Sequence, residues 1–301
     1  MWLPFEPALL GSPPTSLRYE VVLPGERAQV PPSVSEVQFF VTPYRFSRRD
    51  SALLSQMSRL RVVQTLTAGV DHIQASVPDG VILCNGRGIH NASTAELTVG
   101  MILASLRGIP GFVRAQDRAE WTPVDTRSLA DRTVLVVGYG DVGRAIAQRL
   151  SGFEVEMVLV ARTAREGVHG LDELDALVPQ ADVVVLIVPS TDETRGMVDA
   201  AFLARMRDGA LLVNVARGPV VDTDALVSAL HEGRISAALD VTDPEPLPAG
   251  HPLWQAPNLL LTPHVGGASS AMWPRAYQVV LGQLERFAAG APLVNVMDGA
   301  Y

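Results

Sequence analysis

Three side chains in the last third of the chain carry complementary chemistry. Arg217 stands in NVARGPVVD, Glu245 in LDVTDPEPLP and His264 in LLLTPHVGG. Arginine keeps its charge and offers a planar fork of donors that suits a carboxylate. Histidine titrates near about 6.5, and an adjacent carboxylate raises that value, so it can deliver a proton near neutrality. Glu245 lies 19 residues before His264 and is flanked by Pro244 and Pro246. The two prolines predict a stiff, non-helical segment able to aim a carboxylate at an imidazole. Reducing a 2-keto acid needs this set beside a hydride donor. A cation fixes the substrate and polarises its carbonyl, an acid protonates the developing alkoxide, and a carboxylate keeps that acid charged.

A hydride donor has a place to sit. Thr133 to Val137 is a β-branched and aliphatic run that predicts a buried strand. It leads into Gly138-Tyr139-Gly140-Asp141-Val142-Gly143, then RAIAQRL, with Ile146 and Leu150 on one helical face and Gly152 as a stop. In such a strand–turn–helix unit the first glycine makes the tight turn. The second admits a pyrophosphate and the third lets helix and strand pack closely. The phosphates would lie on the free N–H groups of Asp141, Val142 and Gly143 at the helix start. The pattern alone is weak, but the strand before it, the helix after it and the next strand, Val155 to Val160, all fit.

The end of that next strand bears on which dinucleotide is used. An NAD site is expected to carry an acidic residue about twenty positions after the turn. Here Arg162 stands 19 residues after Gly143, followed by Thr163 and, two further on, Arg165. Two guanidinium groups and a hydroxyl suit a 2′-phosphate, so the residues favour NADP over NAD.

Strands and helices alternate along the chain, which predicts an α/β architecture with parallel sheets. Glu36 to Val41, Leu60 to Leu66 and Val81 to Asn85 read as strands of a first domain. Thr133 to Val137, Val155 to Val160, Val183 to Val188, Leu211 to Val215, Ala237 to Val241 and Leu259 to Leu261 suit a doubly wound, Rossmann-type sheet. Helices are expected at Leu171 to Leu177, Ala200 to Met206 and Thr223 to Gly233. Gly138, Arg162, Pro189, Arg217, Glu245 and His264 all follow strands, so they can gather on one sheet edge, where such folds bind ligands. The expected division is a discontinuous substrate domain of flavodoxin-like build, residues 1–94 and 270–301, around a dinucleotide-binding domain, residues 95–269.

Composition excludes several classes. The chain of 301 residues can hold two ordinary domains. Its formal charge is −8, with 24 basic and 32 acidic residues and no basic run, which argues against a nucleic-acid partner. Every one of those basic residues is arginine. The lone Cys84 allows no intrachain disulfide and reads as a small core residue. No metal-ligand cluster stands out. MWLPFEP lacks a basic leader and no apolar run approaches a membrane span, so a cytoplasmic protein is expected.

From about Ser33 onward these frames resemble the D-isomer-specific 2-hydroxyacid dehydrogenase family. The resemblance implies that Arg217 binds substrate, that His264 is the general acid/base and that Glu245 pairs with it. It implies that Asp240, in ALDV, contacts the nicotinamide carboxamide. Val188, Pro189 and Thr194 in VPSTDET would line the cofactor, and Asn214-Val215-Ala216 with Gly266-Gly267 would flank the nicotinamide. The backbone amides of Ala68, Gly69 and Val70, in TAGVDHI, would grip the substrate carboxylate. NASTAELTVGMILASLRGIP is similar to a long helix leading into the cofactor domain, with a homodimer interface along residues 95–114. Glu96 on it is expected to be structural. Arg162-Thr163 and DVTDPEPLP look like the NADP-using glyoxylate and hydroxypyruvate reductases, and glutamate before the histidine is unlike the formate dehydrogenase branch.

Two departures stand out. The proline-rich N-terminus gives no clean first strand before RYEVVLP, and His90 in GRGIHN is expected to cap or pack. Trp121 and Trp273 are candidates either for the substrate pocket or for packing. His72, His169, His231 and His251 read as surface or junction residues. Other readings are a non-catalytic dinucleotide-sensing corepressor, which would need no acid, and an NAD-linked phosphoglycerate or phosphite dehydrogenase. The latter would need cations near Thr67, where Arg87 is the only candidate.

Overall fold

The structure is a computed structural model that describes residues 1–22, 30–44, 48–71 and 73–297, with the side chains of residues 48–50 excepted. His72 lies outside the described residues. The chain divides into two compact units, Met1–His90 with Ser270–Tyr301, and Asn91–Ser269.

The first unit holds a parallel sheet of five short strands. These are β1 (Trp2–Leu3), β2 (Glu20–Val21), β3 (Phe39–Val41), β4 (Val62–Gln64) and β5 (Ile82–Cys84), in the order β2-β1-β3-β4-β5. The sequence places no strand before RYEVVLP, yet Trp2 and Leu3 form an inner strand, buried to 1 % exposure between β2 and β3. Two residues carry no readable period, so only packing marks them. Trp2 is held by its indole N–H, which donates to Glu20 Oε2 at 3.1 Å and to Ser33 Oγ at 3.2 Å.

Helix α1 (Arg48–Leu54) packs Leu53 and Leu54 with Phe40 and Val63 on one face of this sheet. The long C-terminal helix, α8 (Met272–Ala288), covers the other. It buries Met272, Ala276, Val280 and Leu284 at four-residue spacing against Leu3, Phe39, Val41 and Cys84. Burial pushes the Cys84 thiol up to about 11, against a hydrogen bond from Gln283, so it is a neutral packing group. After α8 the chain returns antiparallel beside β5, with a bridge from Cys84 to Val296 and a hydrogen bond from Met297 N to Leu83 O of 2.8 Å.

The second unit is built on six parallel strands, β6 (Thr133–Val137), β7 (Glu156–Val160), β8 (Val183–Leu186), β9 (Leu211–Asn214), β10 (Ser236–Leu239) and β11 (Leu259–Leu261). Their order is β11-β10-β9-β8-β6-β7. A rudimentary further strand, reduced to a parallel bridge from Val160 to His169, borders β7. The order reverses at β6, which pairs with β7 on one side and β8 on the other. The crevice above such a switch point is where open α/β sheets take ligands.

Period-two alternation splits the strand side chains between two cores. Val134, Val136, Val183 and Val185 pack with Ile102 of α2 (Asn91–Leu106) and with Ile146 and Leu150 of α4 (Asp141–Leu150). Leu135, Val137, Val184 and Leu186 pack with the other helix layer. That layer comprises Leu174 of α5 (Leu174–Leu177), Phe202 and Leu203 of α6 (Ala200–Arg205) and Leu226 and Leu230 of α7 (Thr223–His231). Full burial of each such side chain contributes about 1.5–3 kcal/mol.

The helix expected through Pro110 is interrupted. Gly108 adopts φ +64, which stops α2, and Pro110 in the first turn starts α3 (Ile109–Asp117) at a bend of 68°. Residues 95–114 are therefore not one straight helix. No single described helix is long and apolar enough to cross a membrane.

Candidate active site

The glycine turn opens at the C-terminal end of β6. Gly138 has φ +112, and a Cβ there would collide with the Ile187 carbonyl oxygen after β8. A Cβ on Gly143 would collide with the Gly138 carbonyl oxygen. Gly140 differs, because a Cβ there meets nothing within 4 Å among the described residues. Two of the glycines are thus required by the protein itself, whereas Gly140 borders open space. The first N–H groups of α4 have no intrahelical acceptor. Among the described residues those of Val142 and Gly143 donate to no other group either. These features fit a dinucleotide pyrophosphate. Asp141, in the same turn, is ion-paired to Arg144, which offsets its charge.

Arg162 and Thr163 are exposed at the end of β7, and among the described residues Arg162 has no hydrogen-bond or ion-pair partner. Arg165 is engaged. It donates to the Tyr139 carbonyl at 3.0 Å and lies 5.8 Å from the Tyr139 ring centroid, so it braces the turn. Across the switch point, Thr194 is buried and donates to Pro189 O at 2.6 Å while accepting from Thr191 N at 2.8 Å. Its hydroxyl shapes the loop after Val188 and Pro189.

The structure brings Glu245 and His264 together. Glu245 Oε1 lies 2.5 Å from His264 Nδ1, with both side chains half-exposed at 41 % and 47 %. Among the described residues Nε2 of His264 has no partner. The hydrogen bond to Glu245 holds the imidazole above its ordinary pKa; burial opposes this, the Glu245 charge adds to it, the nearby Arg217 guanidinium lowers it, and Asp240 raises it. The imidazole therefore keeps its proton as pH rises past its ordinary range, and loses it as pH passes through the raised value.

Glu245→Gln keeps the shape and removes the charge. The pH at which His264 loses its proton is then expected to move lower, read from the imidazole NMR shift against pH. An unmoved titration would mean that Glu245 does not tune this proton.

Several residues position these groups. Asp240, 3 % exposed, accepts from Thr262 Oγ1 at 2.6 Å, Val265 N at 2.9 Å and Gly266 N at 2.8 Å, while its carbonyl accepts from His264 N at 2.8 Å. These bonds hold His264 in the left-handed region at φ +52. The structure thus puts the Asp240 carboxylate at the base of the histidine loop, and a Cβ on Gly266 would come within 2.9 Å of it. Gly267 follows as the partly exposed end of that turn.

Asn214 performs a similar task for Arg217. Its Oδ1 accepts from Ala216 N and its Nδ2 donates to Arg217 O, both at 3.0 Å, with Val215 and Ala216 buried beneath. Gly218, unnoticed in the sequence, lets this loop touch the next, since a Cβ there would collide with the Thr242 carbonyl. Thr223 Oγ1 donates to Asp243 O at 2.7 Å and pins the approach to Glu245. RGP and VVDT are the only local signals for these roles, because the contacts of Gly218 and Thr223 span twenty residues or more. A cavity of about 650 Å³ lies along the opposite edge of this sheet, against Ser236 and Leu259 at strand starts, and contains none of these residues.

In the first unit, the loop after β4 carries Ala68, Gly69 and Val70. The Thr67, Ala68 and Gly69 carbonyls all accept hydrogen bonds from protein groups. Among the described residues the N–H groups of Gly69 and Val70 donate to none. Spare donors on a loop whose acceptors are occupied can bind an anion. Trp273 belongs to an aromatic cluster with Phe5 and Tyr277, whereas Trp121 is 96 % exposed. Glu96 is exposed on α2. His169 pairs with Glu173 at 2.7 Å, His231 bonds Val227 O at 2.8 Å, and His251 accepts from Leu253 N. No cluster of metal-ligating side chains occurs among the described residues.

A doubly wound parallel sheet with a glycine turn at its switch point defines a dinucleotide-binding domain, and the comparisons with known proteins agree. Residues 99–266 match the NAD-binding domain of the D-isomer-specific 2-hydroxyacid dehydrogenases. A glyoxylate reductase of Thermofilum pendens is 37 % identical over 237 residues, 73 % of this chain and 69 % of its own. A D-3-phosphoglycerate dehydrogenase of Methanocaldococcus jannaschii is 32 % identical over 257 residues, 82 % of this chain but only 49 % of its own. Among solved structures, a D-isomer-specific 2-hydroxyacid dehydrogenase from Xanthobacter autotrophicus Py2, in complex with NADPH and MES, superposes with a TM-score of 0.82 at 33 % identity, covering 97 % of this chain and 93 % of that one. An NADPH-dependent glyoxylate/hydroxypyruvate reductase from Sinorhizobium meliloti, in complex with NADP and sulfate, gives the same score and coverage at 27 % identity. The chain belongs to the D-isomer-specific 2-hydroxyacid dehydrogenase family.

Proposed function

We propose that this protein is an NADP-preferring reductase of a small 2-keto acid, of the glyoxylate or hydroxypyruvate kind, and yields the D-2-hydroxy acid. The observation that carries the reading is the His264–Glu245 pair, a half-exposed imidazole whose pKa the carboxylate raises, in the same unit as the glycine turn. When bound, the reduced nicotinamide supplies the hydride. Arg217 fixes the substrate and draws charge toward its carbonyl oxygen. His264 gives a proton from Nε2 to that oxygen, and Glu245 stabilises the imidazolium beforehand. The Gly69 and Val70 amides hold the substrate carboxylate. A corepressor-like sensor would need no such acid, and a turnover assay separates the two.

NADP preference is supported by Arg162, an exposed cation where an NAD site carries an acid. Arg162→Asp is expected to shift the NADPH-to-NADH preference toward NADH by about ten- to a hundredfold, since a hydrogen bond to a charged group is worth about 1.5–3 kcal/mol. An unmoved ratio would remove Arg162 from the 2′-phosphate site.

The reading is tested by following nicotinamide absorbance with NADPH or NADH and glyoxylate, hydroxypyruvate, pyruvate or a bulkier keto acid. Oxidation chiefly of NADPH with one or two small acids supports it. Turnover of NAD with 3-phosphoglycerate instead would favour the second reading, suggested by the phosphoglycerate dehydrogenase relative.

A further inference from the structure

The loop proposed to hold the substrate carboxylate is hydrogen-bonded along its carbonyls, in part by the stretch that follows β5. Residues 65–69 turn out of β4, and every carbonyl among them accepts a hydrogen bond. The Thr65 carbonyl accepts from Gln64 Nε2 at 2.8 Å, and Leu66 from His90 Nε2 at 2.8 Å. The Thr67 carbonyl accepts from Thr65 Oγ1 at 2.8 Å and Gly86 N at 2.7 Å. Ala68 accepts from Asn85 Nδ2 at 2.9 Å, and Gly69 from Thr67 Oγ1 at 2.8 Å. Three of these donors, Asn85, Gly86 and His90, lie on the short stretch that follows β5. A Cβ at Gly86 would stand 2.8 Å from the Leu66 carbonyl, so the two backbones touch.

His90 is 8 % exposed, and its ring lies 5.6 Å from that of Tyr44. A carbonyl only accepts, so Nε2 of His90 carries a proton and donates it. Asn85, 2 % exposed, is fixed in turn, since its carbonyl accepts from Gln64 Nε2 at 3.0 Å and its N–H donates to Asn295 O at 3.0 Å.

We propose that His90, assisted by Asn85, is a positioning residue for substrate affinity. It holds the Leu66 peptide so that the N–H groups of Gly69 and Val70 are presented together as donors to a carboxylate. His90 acts through the loop and does not touch the substrate, and the inference rests on the keto-acid reading above. Because the peptide orientation is set in advance, binding does not have to order the loop. Loss of the donor weakens ground-state and transition-state binding alike, which raises KM and leaves kcat.

The test compares His90→Phe, which fills the space without a donor, with His90→Gln, whose amide nitrogen can donate to the same carbonyl. For His90→Phe, KM for the keto acid is expected to rise about tenfold, the loss of roughly one hydrogen bond, with kcat and the NADPH dissociation constant near wild type. His90→Gln is expected to restore most of that loss. Equal impairment of both variants, or an unchanged KM in His90→Phe, would overturn the proposal. Amide hydrogen exchange over residues 65–70 provides a readout that needs no substrate. Exchange is expected to quicken in His90→Phe and to recover in His90→Gln, and no change in His90→Phe would again overturn it. If wild type reduces no keto acid, the functional reading fails, and the exchange result still decides whether His90 holds the loop.

Discussion

His264→Asn is expected to remove turnover, by about a hundred- to ten-thousandfold, while cofactor affinity and melting temperature stay close to wild type. Asparagine suits this position for a structural reason. His264 sits at φ +52 in a loop held by Asp240, and asparagine is among the few residues that enter the left-handed region readily. Its amide can still donate to Glu245, so the loop has no reason to move. What is lost is a ring nitrogen that can give up a proton and take it back. Alanine would add backbone strain to the chemical loss and blur the result. Steady-state reduction of the keto acid proposed as substrate, beside cofactor binding by fluorescence, separates the two effects. Turnover within a few fold of wild type would take the proton-donor role away from His264.

The second large effect divides the glycine turn. Gly138→Ala is expected to destabilise the second unit by about 1–3 kcal/mol or more, because the new methyl group meets backbone at Ile187 and φ +112 is unfavourable to alanine. Gly140→Ala is expected to leave the melting temperature nearly unchanged, since nothing among the described residues lies within 4 Å of such a Cβ. It is expected to weaken NADPH binding at least about tenfold, because that space is where a pyrophosphate must approach the backbone. Thermal melts of the two variants, each with and without NADPH, read both outcomes. Undiminished stabilisation by NADPH in Gly140→Ala would place the pyrophosphate elsewhere.

These variants also mark where local sequence stops being informative. A Gly-x-Gly-x-x-Gly frame names three glycines without saying which ones the protein needs for itself. Steric approach answers that, and it depends on Ile187, 49 residues after Gly138. Asp240 is similar. The resemblance carried by the ALDV frame implies a contact with the nicotinamide, and only the fold shows the Asp240 carboxylate accepting from three groups of the histidine loop.

The sequence by itself determined the alternation of strands and helices, the doubly wound sheet, the glycine turn after Thr133–Val137 and the placing of Arg217, Glu245 and His264 after strands. Those features are written in period, turn chemistry and short spacing, all carried by neighbours along the chain. Tertiary structure alone decided that Trp2–Leu3 is an inner strand, that Gly108 breaks the long helix, that Gly218 brings the arginine loop against Thr242 and that His90 grips Leu66. Each of these depends on how segments meet once the apolar faces are buried. A two-residue strand has no period, and a carbonyl's partner 24 residues away leaves no local trace.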